Sequence, residues 1–304
     1  MAEPTYPYGD TPAAGDRLDR LAEVFEPSTA AFLDAAAIGD RRRPDPIELA
    51  VDLGCGPGHT TRLLAECTGA RHTVGLEASA AFVARARHDR PAVVTLDPHR
   101  FAGRRGGDPS GTRSRLSFRD VDVTVLPWPI GPADVVFARY LLAHLPDAAG
   151  LIGGWVGQLA PGGRLLVEEI VSIDTGHPVL GRYVQLVTAL SAAHGNDLLV
   201  GASLGNVPTP AGTTVVHDEV VRIAPPVATM AGLFGLNLSQ WRHDPWAQAT
   251  LDPAELDTLA EQLAALVEDP PPPGTITWRH RQLAWSSGRA GPPSGRLRHP
   301  TPTC

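Results

Sequence analysis

Short apolar runs alternate with helical patterns through the first third of the chain. Residues 47–53, IELAVDL, are largely apolar and end at a glycine, which is typical of a strand buried on both faces of a parallel sheet. Residues 60–66, TTRLLAE, continue as a helix, and the strand and helix patterns repeat at 72–77 and 78–88. The pattern therefore predicts a β-α-β-α unit, the beginning of a doubly wound α/β sheet.

The alternation continues to residue 171 and then becomes less regular. Five further strands are predicted, which makes seven in all: 115–123, 133–140, 163–171, 213–224 and 275–285. Further helices are predicted from Asp147 to a stop at Pro161-Gly162-Gly163, and at about 178–193, 227–236 and 252–268. Because helices separate the last two strands, an antiparallel edge is expected.

Two short helices are predicted before the first strand. Asp16 is a suitable N-cap for the first, whose apolar residues recur at helical spacing over 18–25, and Ser28 is a suitable N-cap for the second. This N-terminal part, 1–38, is expected either to pack as helices or to fold over a ligand as a lid.

We therefore predict a single domain over 1–285. Its parts are the N-terminal helices (1–38), a ligand-binding core (39–171), a helical cap for the substrate (174–211) and the C-terminal part of the sheet (212–285). The Gly- and Arg-rich stretch 97–115 has no periodicity and is interpreted as a loop insertion, either a solvated surface or a docking site for an acidic carrier protein. Residues 286–304 are expected to form a disordered tail.

Composition narrows the kind of ligand. The chain has 304 residues, a formal net charge of -7 and 19% charged residues, and this acidic balance argues against a nucleic-acid partner. Cys55, Cys67 and Cys304 are scattered, so neither a disulfide framework nor a metal site is expected. No run of about 18 apolar residues occurs. We expect no membrane association and a cytoplasmic protein, whose oligomeric state the pattern leaves open.

Three glycines stand at alternate positions after the first predicted strand. Gly54, Gly56 and Gly58 lie where backbone N–H groups and the positive end of a helix face outward, and glycine lets a ligand touch the main chain. The dinucleotide fingerprint has a small residue where this chain has His59, which counts against NAD. Glu77 follows at about 20 residues, where an acid can accept both hydroxyls of a ribose. A nucleoside ligand is therefore predicted.

Five segments in order resemble successive motifs of the class I S-adenosylmethionine-dependent methyltransferases. They are VDLGCGPG, VGLEAS, DVTVLPW, ADVVFARYLLAHLPD and LAPGGRLLVEE, and they span roughly residues 45–171. The resemblance implies a Rossmann-like, seven-stranded sheet whose last strand is antiparallel, in agreement with the predicted strands. It also implies S-adenosylmethionine as the cofactor, a ligand without phosphate whose diol suits a carboxylate and whose amino-acid end suits backbone groups.

The resemblance further implies which residues bind the cofactor. The ends of the first three strands would hold its methionine part, ribose and adenine in turn, and the end of the fourth would lie near the sulfonium. Asp52, Gly54, Cys55 and Gly56 would contact the methionine part, and Glu77 and Ala78 the ribose. Asp122 and Val123 would contact the adenine, and Arg139 would lie near the sulfonium. Asp120 is an alternative to Asp122. Gly58 equally suits helix packing, and Cys55 is expected to fill the loop rather than act as a nucleophile.

Fewer sequence features indicate the residues of the acceptor site than those of the cofactor site. Methyl transfer from a sulfonium needs alignment and desolvation, and a base is needed only when the acceptor is a hydroxyl or an ammonium. His144 and His194 are the candidate bases, although His144 equally suits a role in orienting its loop. Tyr140, Tyr183 and Asn196 are candidates for the acceptor pocket.

The leading functional prediction is methyl transfer to a small-molecule acceptor, especially a natural product, either free or bound to a carrier protein. FARYLL stands where nucleic-acid and protein amide methyltransferases have an Asn/Asp-Pro-Pro-Tyr motif, which favours a small acceptor. Two alternatives stay open. One is a non-methylating conversion on the same fold, such as cyclisation or elimination, and the other is a non-catalytic nucleoside-binding protein.

Overall fold

The structure is a computed structural model that describes residues 9–37, 46–97 and 113–288. In chain order its elements are α1 (Pro12–Phe32), β1 (Leu49–Leu53), α2 (His59–Thr68), β2 (His72–Glu77), α3 (Ala80–Asp89), β3 (Val93–Thr95), β4 (Arg113–Asp120), β5 (Ala133–Arg139), α4 (Ala148–Val156), β6 (Leu159–Thr175), α5 (Pro178–Ala193), α6 (Gly201–Leu204), β7 (Thr213–Ile223), α7 (Val227–Trp241), α8 (Pro245–Thr250), α9 (Pro253–Glu268) and β8 (Ile276–Ser287). A π-helical turn, Leu33–Ala37, extends α1, and a 3₁₀ turn, Leu142–His144, follows β5.

The strands form one mixed sheet in the order β3-β4-β2-β1-β5-β6-β8-β7. Strands β4, β2, β1, β5 and β6 pair in parallel, whereas β8 is antiparallel to β6. The predicted doubly wound fold with an antiparallel last strand is confirmed. The eighth strand, β3, was not predicted because it has three residues and only Val94 is buried, too short a stretch for an alternating pattern to show.

The strand order places a crevice at the carboxyl end of β1. This strand has β2 on one side and β5 on the other, and both pairs are parallel. The order reverses at β1, so the connections that follow β1 and β5 leave the sheet towards opposite faces. In open α/β sheets, ligands bind in such a crevice.

Helix α1 is continuous, and the prediction of two separate helices is wrong. Thr11, rather than Asp16, caps it, because the Thr11 hydroxyl accepts a hydrogen bond from the Ala14 N–H at 3.2 Å. Pro27 and Ser28 lie inside the helix. A proline inside a helix costs about 3 kcal/mol. We attribute the continuity to tertiary packing, since Phe25 and Thr29 on either side of this position are fully buried.

Two predicted boundaries are also wrong. Helix α4 ends at Val156, well before Pro161-Gly162-Gly163, and β6 begins at Leu159 and runs for 17 residues. Leu159 already pairs with Ala133, and a register shift then follows on β5 between Ala133 and Val135, so sheet pairing replaces the helix that the apolar spacing predicted.

Parts of four predictions lie outside the described residues: 1–8 and 38 of the N-terminal part, 39–45 of the core, 98–112 of the insertion and 289–304 of the tail. The predicted insertion extends too far at Arg113 to Arg115, which form the start of β4, and the predicted tail begins too early, because Ser286 and Ser287 belong to β8. Within the described ranges, no helix is both long and apolar enough to cross a membrane.

An apolar helical layer covers the carboxyl end of β6. Helices α5, α7 and α9 bury one cluster of side chains together with Phe25 of α1, Ile170 of β6 and Trp278 of β8. Tyr183 of α5 stacks on Phe234 of α7, with ring centroids 4.0 Å apart. This layer extends well beyond the predicted cap, 174–211, because α7 and α9, which lie outside that range, contribute many of its buried side chains.

We expect replacement of Trp155 to destabilise the fold strongly. This α4 side chain is fully buried, and its indole N–H donates to the Val123 carbonyl at 3.0 Å. Trp155→Ala should lower the free energy of unfolding by about 3–5 kcal/mol, as measured by urea titration. Val125→Ala is the control, since Val125 is 64% exposed. Equal midpoints for the two variants would contradict this packing.

Candidate active site

The connection from β1 to α2 is a glycine turn, Gly54 to Gly58, in which all three glycines have left-handed backbone. Their φ angles are 60°, 51° and 81° at Gly54, Gly56 and Gly58. A Cβ atom at Gly54 would also lie 2.7 Å from Leu141 Cδ1, so both the conformation and the space require glycine there. The turn is held by the Cys55 N–H, which donates to the Leu76 carbonyl at 3.1 Å.

Glu77 joins the end of β2 to this turn. One carboxylate oxygen accepts from the Gly56 N–H and the other from the Ser79 N–H, both at 2.9 Å. The N–H of Ala78 also favours the charged form, although burial outweighs these bonds and raises the pKa of Glu77. The structure therefore places Gly56, Glu77 and Ala78 together, as the cofactor prediction requires.

Asp52 lies beneath the glycine turn as a buried acid. Its Oδ2 atom accepts from the Thr60 and Thr61 hydroxyls, both at 2.7 Å. Burial raises the pKa of Asp52 to about 6, against the opposing effects of these hydroxyls and of Arg139. Asp52 thus ties the end of β1 to the first turn of α2. The neighbouring Cys55 is buried, and burial raises the pKa of its thiol, which fits the interpretation that it fills the loop.

Arg139, the last residue of β5, lies between two buried acids. Its guanidinium donates to the Thr29 hydroxyl at 3.0 Å, and that hydroxyl donates to Glu168 at 2.6 Å. The positive charge lowers the pKa of both Asp52 and Glu168, although burial raises each of them more. Arg139 therefore joins the end of β5 to α1 and, through the Thr29 hydroxyl, to Glu168 of β6.

The two acids proposed for the adenine differ in their surroundings. Asp122 is exposed, and its carboxylate already accepts from the backbone N–H and hydroxyl of Thr124, at 2.9 and 2.7 Å. Asp120 ends β4 opposite Glu77 in the sheet register. The Val123 carbonyl accepts from two indoles, those of Trp128 and Trp155. Both acids stay candidates.

The two candidate bases lie apart. His144 belongs to the 3₁₀ turn after β5, and burial, reinforced by the charge of Arg17, lowers its pKa to about 4. His194 directly follows α5, and its Nε2 atom lies within hydrogen-bond distance of Asp244 Oδ2, at 2.9 Å. It lies eleven residues beyond Tyr183, which is about 16 Å along a helix. Asn196 is beside His194, with its N–H bonded to the Ser191 carbonyl.

Several buried polar side chains of this region were not predicted, among them Thr29, Glu168, Glu169, His280 and Gln282. Thr29 and His280 lie on α1 and β8, far in sequence from the glycine turn, and no motif marks them. Glu168 had a signal, since an acid within a buried apolar strand is costly unless it is paired. No group of three or more His, Cys, Asp or Glu residues within the described part of the chain has the geometry of a metal site.

Glu169 holds the loop that carries His144. Its Oε1 atom accepts from the Leu141 and Leu142 N–H groups at 2.8 and 2.7 Å, while Oε2 is buried with no hydrogen-bond partner among the described residues. Burial raises the pKa of Glu169 to about 8. The side chain is therefore mostly protonated at neutral pH, and it keeps Leu141 against Gly54.

These features fit an adenosyl ligand. A turn that needs glycine, a half-buried carboxylate at the end of the next strand, and acids at the end of β4 meet at the crevice beside β1. The backbone suits an amino-acid group, the carboxylate suits a ribose diol, and the acids near β4 suit an adenine amino group. The fold and site thus define a nucleoside-binding α/β protein of the Rossmann-like type.

Comparisons with known proteins agree with this class. A methyltransferase domain family model matches residues 51–167. The trans-aconitate 2-methyltransferase of Methylobacterium nodulans is 30% identical over 233 residues, which cover 73% of this chain and 78% of that protein. The enzyme of the same name from Methylobacterium radiotolerans is 32% identical over 54% of this chain, and the match spans about half, 53%, of that relative. A solved structure of coclaurine N-methyltransferase is 14% identical, with a TM-score of 0.48 over 84% of this chain and 72% of that one.

The chain belongs to the class I S-adenosylmethionine-dependent methyltransferases, and S-adenosylmethionine is its cofactor. The predicted family, fold class and cofactor are confirmed. The roles of the individual cofactor, catalytic and acceptor residues stay predictions.

We expect Glu77 to contribute strongly to cofactor affinity. Glu77→Gln replaces one acceptor oxygen with a donor, which leaves the ribose diol and the N–H groups of Gly56 and Ser79 competing for a single oxygen. A lost hydrogen bond to a charged group corresponds to a Kd for S-adenosylhomocysteine that is about 10- to 100-fold higher. Calorimetry measures this, with Glu219→Gln as the control because that β7 side chain is 62% exposed. An unchanged Kd would remove Glu77 from the cofactor site.

We expect Glu169 to make stability depend on pH. Its folded pKa of about 8 lies above its unfolded value, so the folded protein holds a proton that the unfolded chain releases. Stability is therefore full below the unfolded pKa and falls as pH rises through the folded pKa. Glu169→Gln cannot ionise, so its free energy of unfolding should fall less steeply from about pH 5 to about pH 8.5. Urea titrations at both values test this, and a slope equal to that of the native protein would refute it.

Proposed function

We propose that this protein transfers the methyl group of S-adenosylmethionine to a small-molecule acceptor. The observation that carries the proposal is the arrangement at the carboxyl edge, where Gly56 and Glu77 are hydrogen-bonded beside the buried Asp52 and Arg139. The methyltransferase family model covers all four of these residues. A helical layer above β6 supplies a wall on which acceptor specificity can rest.

Each residue of the proposed site would act on a different part of the cofactor. When bound, the cofactor supplies an electrophilic methyl group on a sulfonium. Glu77 would accept hydrogen bonds from the ribose diol, and the main chain of Gly54 and Gly56 would contact the amino-acid end. Arg139, which is hydrogen-bonded to Thr29, would set the electrostatic potential near the sulfur. Alignment and exclusion of water are the contributions that this reaction needs.

Of the two candidate bases, we propose His144. Its turn directly follows β5, beside the glycine turn, and Glu169 holds the backbone that carries it. Burial lowers the pKa of His144 to about 4, so the imidazole is neutral at pH 7, the form in which a histidine can accept a proton. His194 is exposed at the far end of α5 and already paired with Asp244.

The acceptor is inferred from the relatives and from the net charge. The relatives are named for trans-aconitate, a small carboxylic acid, and this chain has an acidic net charge that does not suit a nucleic acid. Trans-aconitate is therefore the first probe to use. The natural-product acceptor, its attachment to a carrier protein and the cytoplasmic location stay predictions.

The proposal is tested by following the labelled methyl group. Purified protein is incubated with methyl-labelled S-adenosylmethionine and either trans-aconitate or a small-molecule cell extract, and products are analysed by mass spectrometry. We expect label in a small product, and a rate reduced at least about tenfold by Glu77→Gln at limiting cofactor. Glu219→Gln should match the native rate. Cofactor binding without any labelled product would refute methyl transfer and favour a non-methylating or binding function.

A further inference from the structure

Strand β7 forms the long edge of the sheet. Its eleven residues, Thr213–Ile223, pair with β8 on one side, and no described strand lies on the other side. At the opposite edge of the sheet, β3 has only three residues. An edge strand presents backbone N–H and C=O groups that can pair with another strand. Strand β7 is therefore long enough to bind a further strand by sheet extension.

The exposed side chains of β7 include several apolar residues. Seven large apolar side chains of the described residues are exposed, and three of them are Val215, Val216 and Val220, at 46%, 42% and 42%. Natural edge strands commonly prevent pairing with lysine, proline or a bulge. Residues 213–223 contain neither lysine nor proline, and the register shift after Val215 leaves the pairing with β8 regular from His217 onwards. The edge is therefore weakly protected against a further strand.

The order of residues along β7 fits a second copy of the same strand. Asp218 is the middle residue of β7, so an antiparallel pair with a two-fold axis at Asp218 would match the strand with itself over its full length. Val216 would then lie opposite Val220, and His217 opposite Glu219. Apolar residues would meet apolar residues, and a histidine would meet an acid, twice in each dimer.

The polar side chains at the centre of β7 agree with this register. His217 Nε2 is buried without a hydrogen-bond partner among the described residues, because Glu219 of the same strand lies 3.9 Å away. Cβ atoms of opposite residues in a sheet are about 4.5–5.5 Å apart, so the exposed Glu219 of the second copy would bring another carboxylate to His217. Asp218 would face its own counterpart, but each Asp218 carboxylate is compensated by Arg281 of β8, at 2.9 and 3.3 Å.

We propose that β7 binds β7 of a second copy in antiparallel orientation, which gives a homodimer with one sheet continuous through both copies. The partner is the protein itself, because the strand complements its own reversed sequence in apolar and in charged residues. The interface lies away from the cofactor site, since β5, β6 and β8 separate β7 from β1. Each copy keeps its own glycine turn and Glu77, so the dimer does not depend on which reaction the protein catalyses.

The first test measures the mass of the full-length protein in solution. Sedimentation over a dilution series should show a dimer, with a dissociation constant at least about tenfold higher in Val216→Lys and in Val220→Lys, because each places a charge against a valine twice. Val93→Lys is the matched control, since Val93 is 47% exposed on β3 at the other edge. An unchanged Kd for S-adenosylhomocysteine shows that the variants are folded. A native protein that is monomeric throughout, or a dimer weakened equally by Val93→Lys, would overturn the proposal.

The second test measures the register. Asp218→Cys places one cysteine of each copy at the two-fold axis, where opposite Cα atoms are about 4.5–5.5 Å apart, within the reach of a disulfide. In Val216→Cys the two cysteines would lie about 13 Å apart along the strands. After mild oxidation, non-reducing electrophoresis should show a crosslinked dimer for Asp218→Cys, but not for Val216→Cys or for the native protein, whose Cys55 and Cys67 are buried. A crosslink in Val216→Cys without one in Asp218→Cys would refute this pairing.

Discussion

The hydrogen bond from the Thr29 hydroxyl to Glu168 is the contact on which the site depends. Its length is 2.6 Å and both residues are fully buried, so it joins α1 to the centre of the sheet. Gln282 of β8 donates to the other Glu168 oxygen, and Arg139 of β5 donates to Thr29. Four elements converge on one buried acid. Removal of a partner would leave a buried charge unmatched, which costs more than the bond itself contributes.

This network explains why a site so rich in acids is stable. Asp52, Glu77, Glu168 and Glu169 are all buried or half-buried at the carboxyl edge, and burial raises the pKa of each. Backbone N–H groups, hydroxyls and amides supply most of their hydrogen bonds, and among the described residues Glu169 Oε2 is the exception.

The two sides of the sheet's carboxyl edge differ in polarity. On the side of β1, β2 and β4, contacts are made by turns and acids that suit a nucleoside. On the side of β6 and β8, aromatic rings and the helices α5, α7 and α9 form an apolar wall interrupted by Tyr140 and His280. The boundary falls at the adjacent residues Arg139 and Tyr140. In the proposed function, the first side would hold the cofactor and the second would hold the acceptor.

The local sequence pattern was sufficient to predict those elements that local preferences determine. Continuous apolar runs gave β1, β2 and β5 because central parallel strands are buried on both faces, and the glycine turn was recognisable because only glycine adopts its backbone readily. Pattern failed at α1, where Pro27 and Ser28 indicated a break. It also failed at the helix predicted to reach Pro161, where strand pairing prevailed. In each failure a long-range contact outweighed a local preference.

The sequence by itself therefore determined the fold class, the family and the identity of the cofactor, since these follow from periodicity and from motifs contiguous in the chain. Only the tertiary structure decided which polar groups complete the site. Thr29, Glu168 and His280 meet Arg139 and Tyr140 across separations of up to 140 residues, and neither spacing nor residue type reveals such a meeting. The physical reason is that a buried hydrogen bond depends on the distance and direction between two side chains, which are known only when the strands and helices are packed.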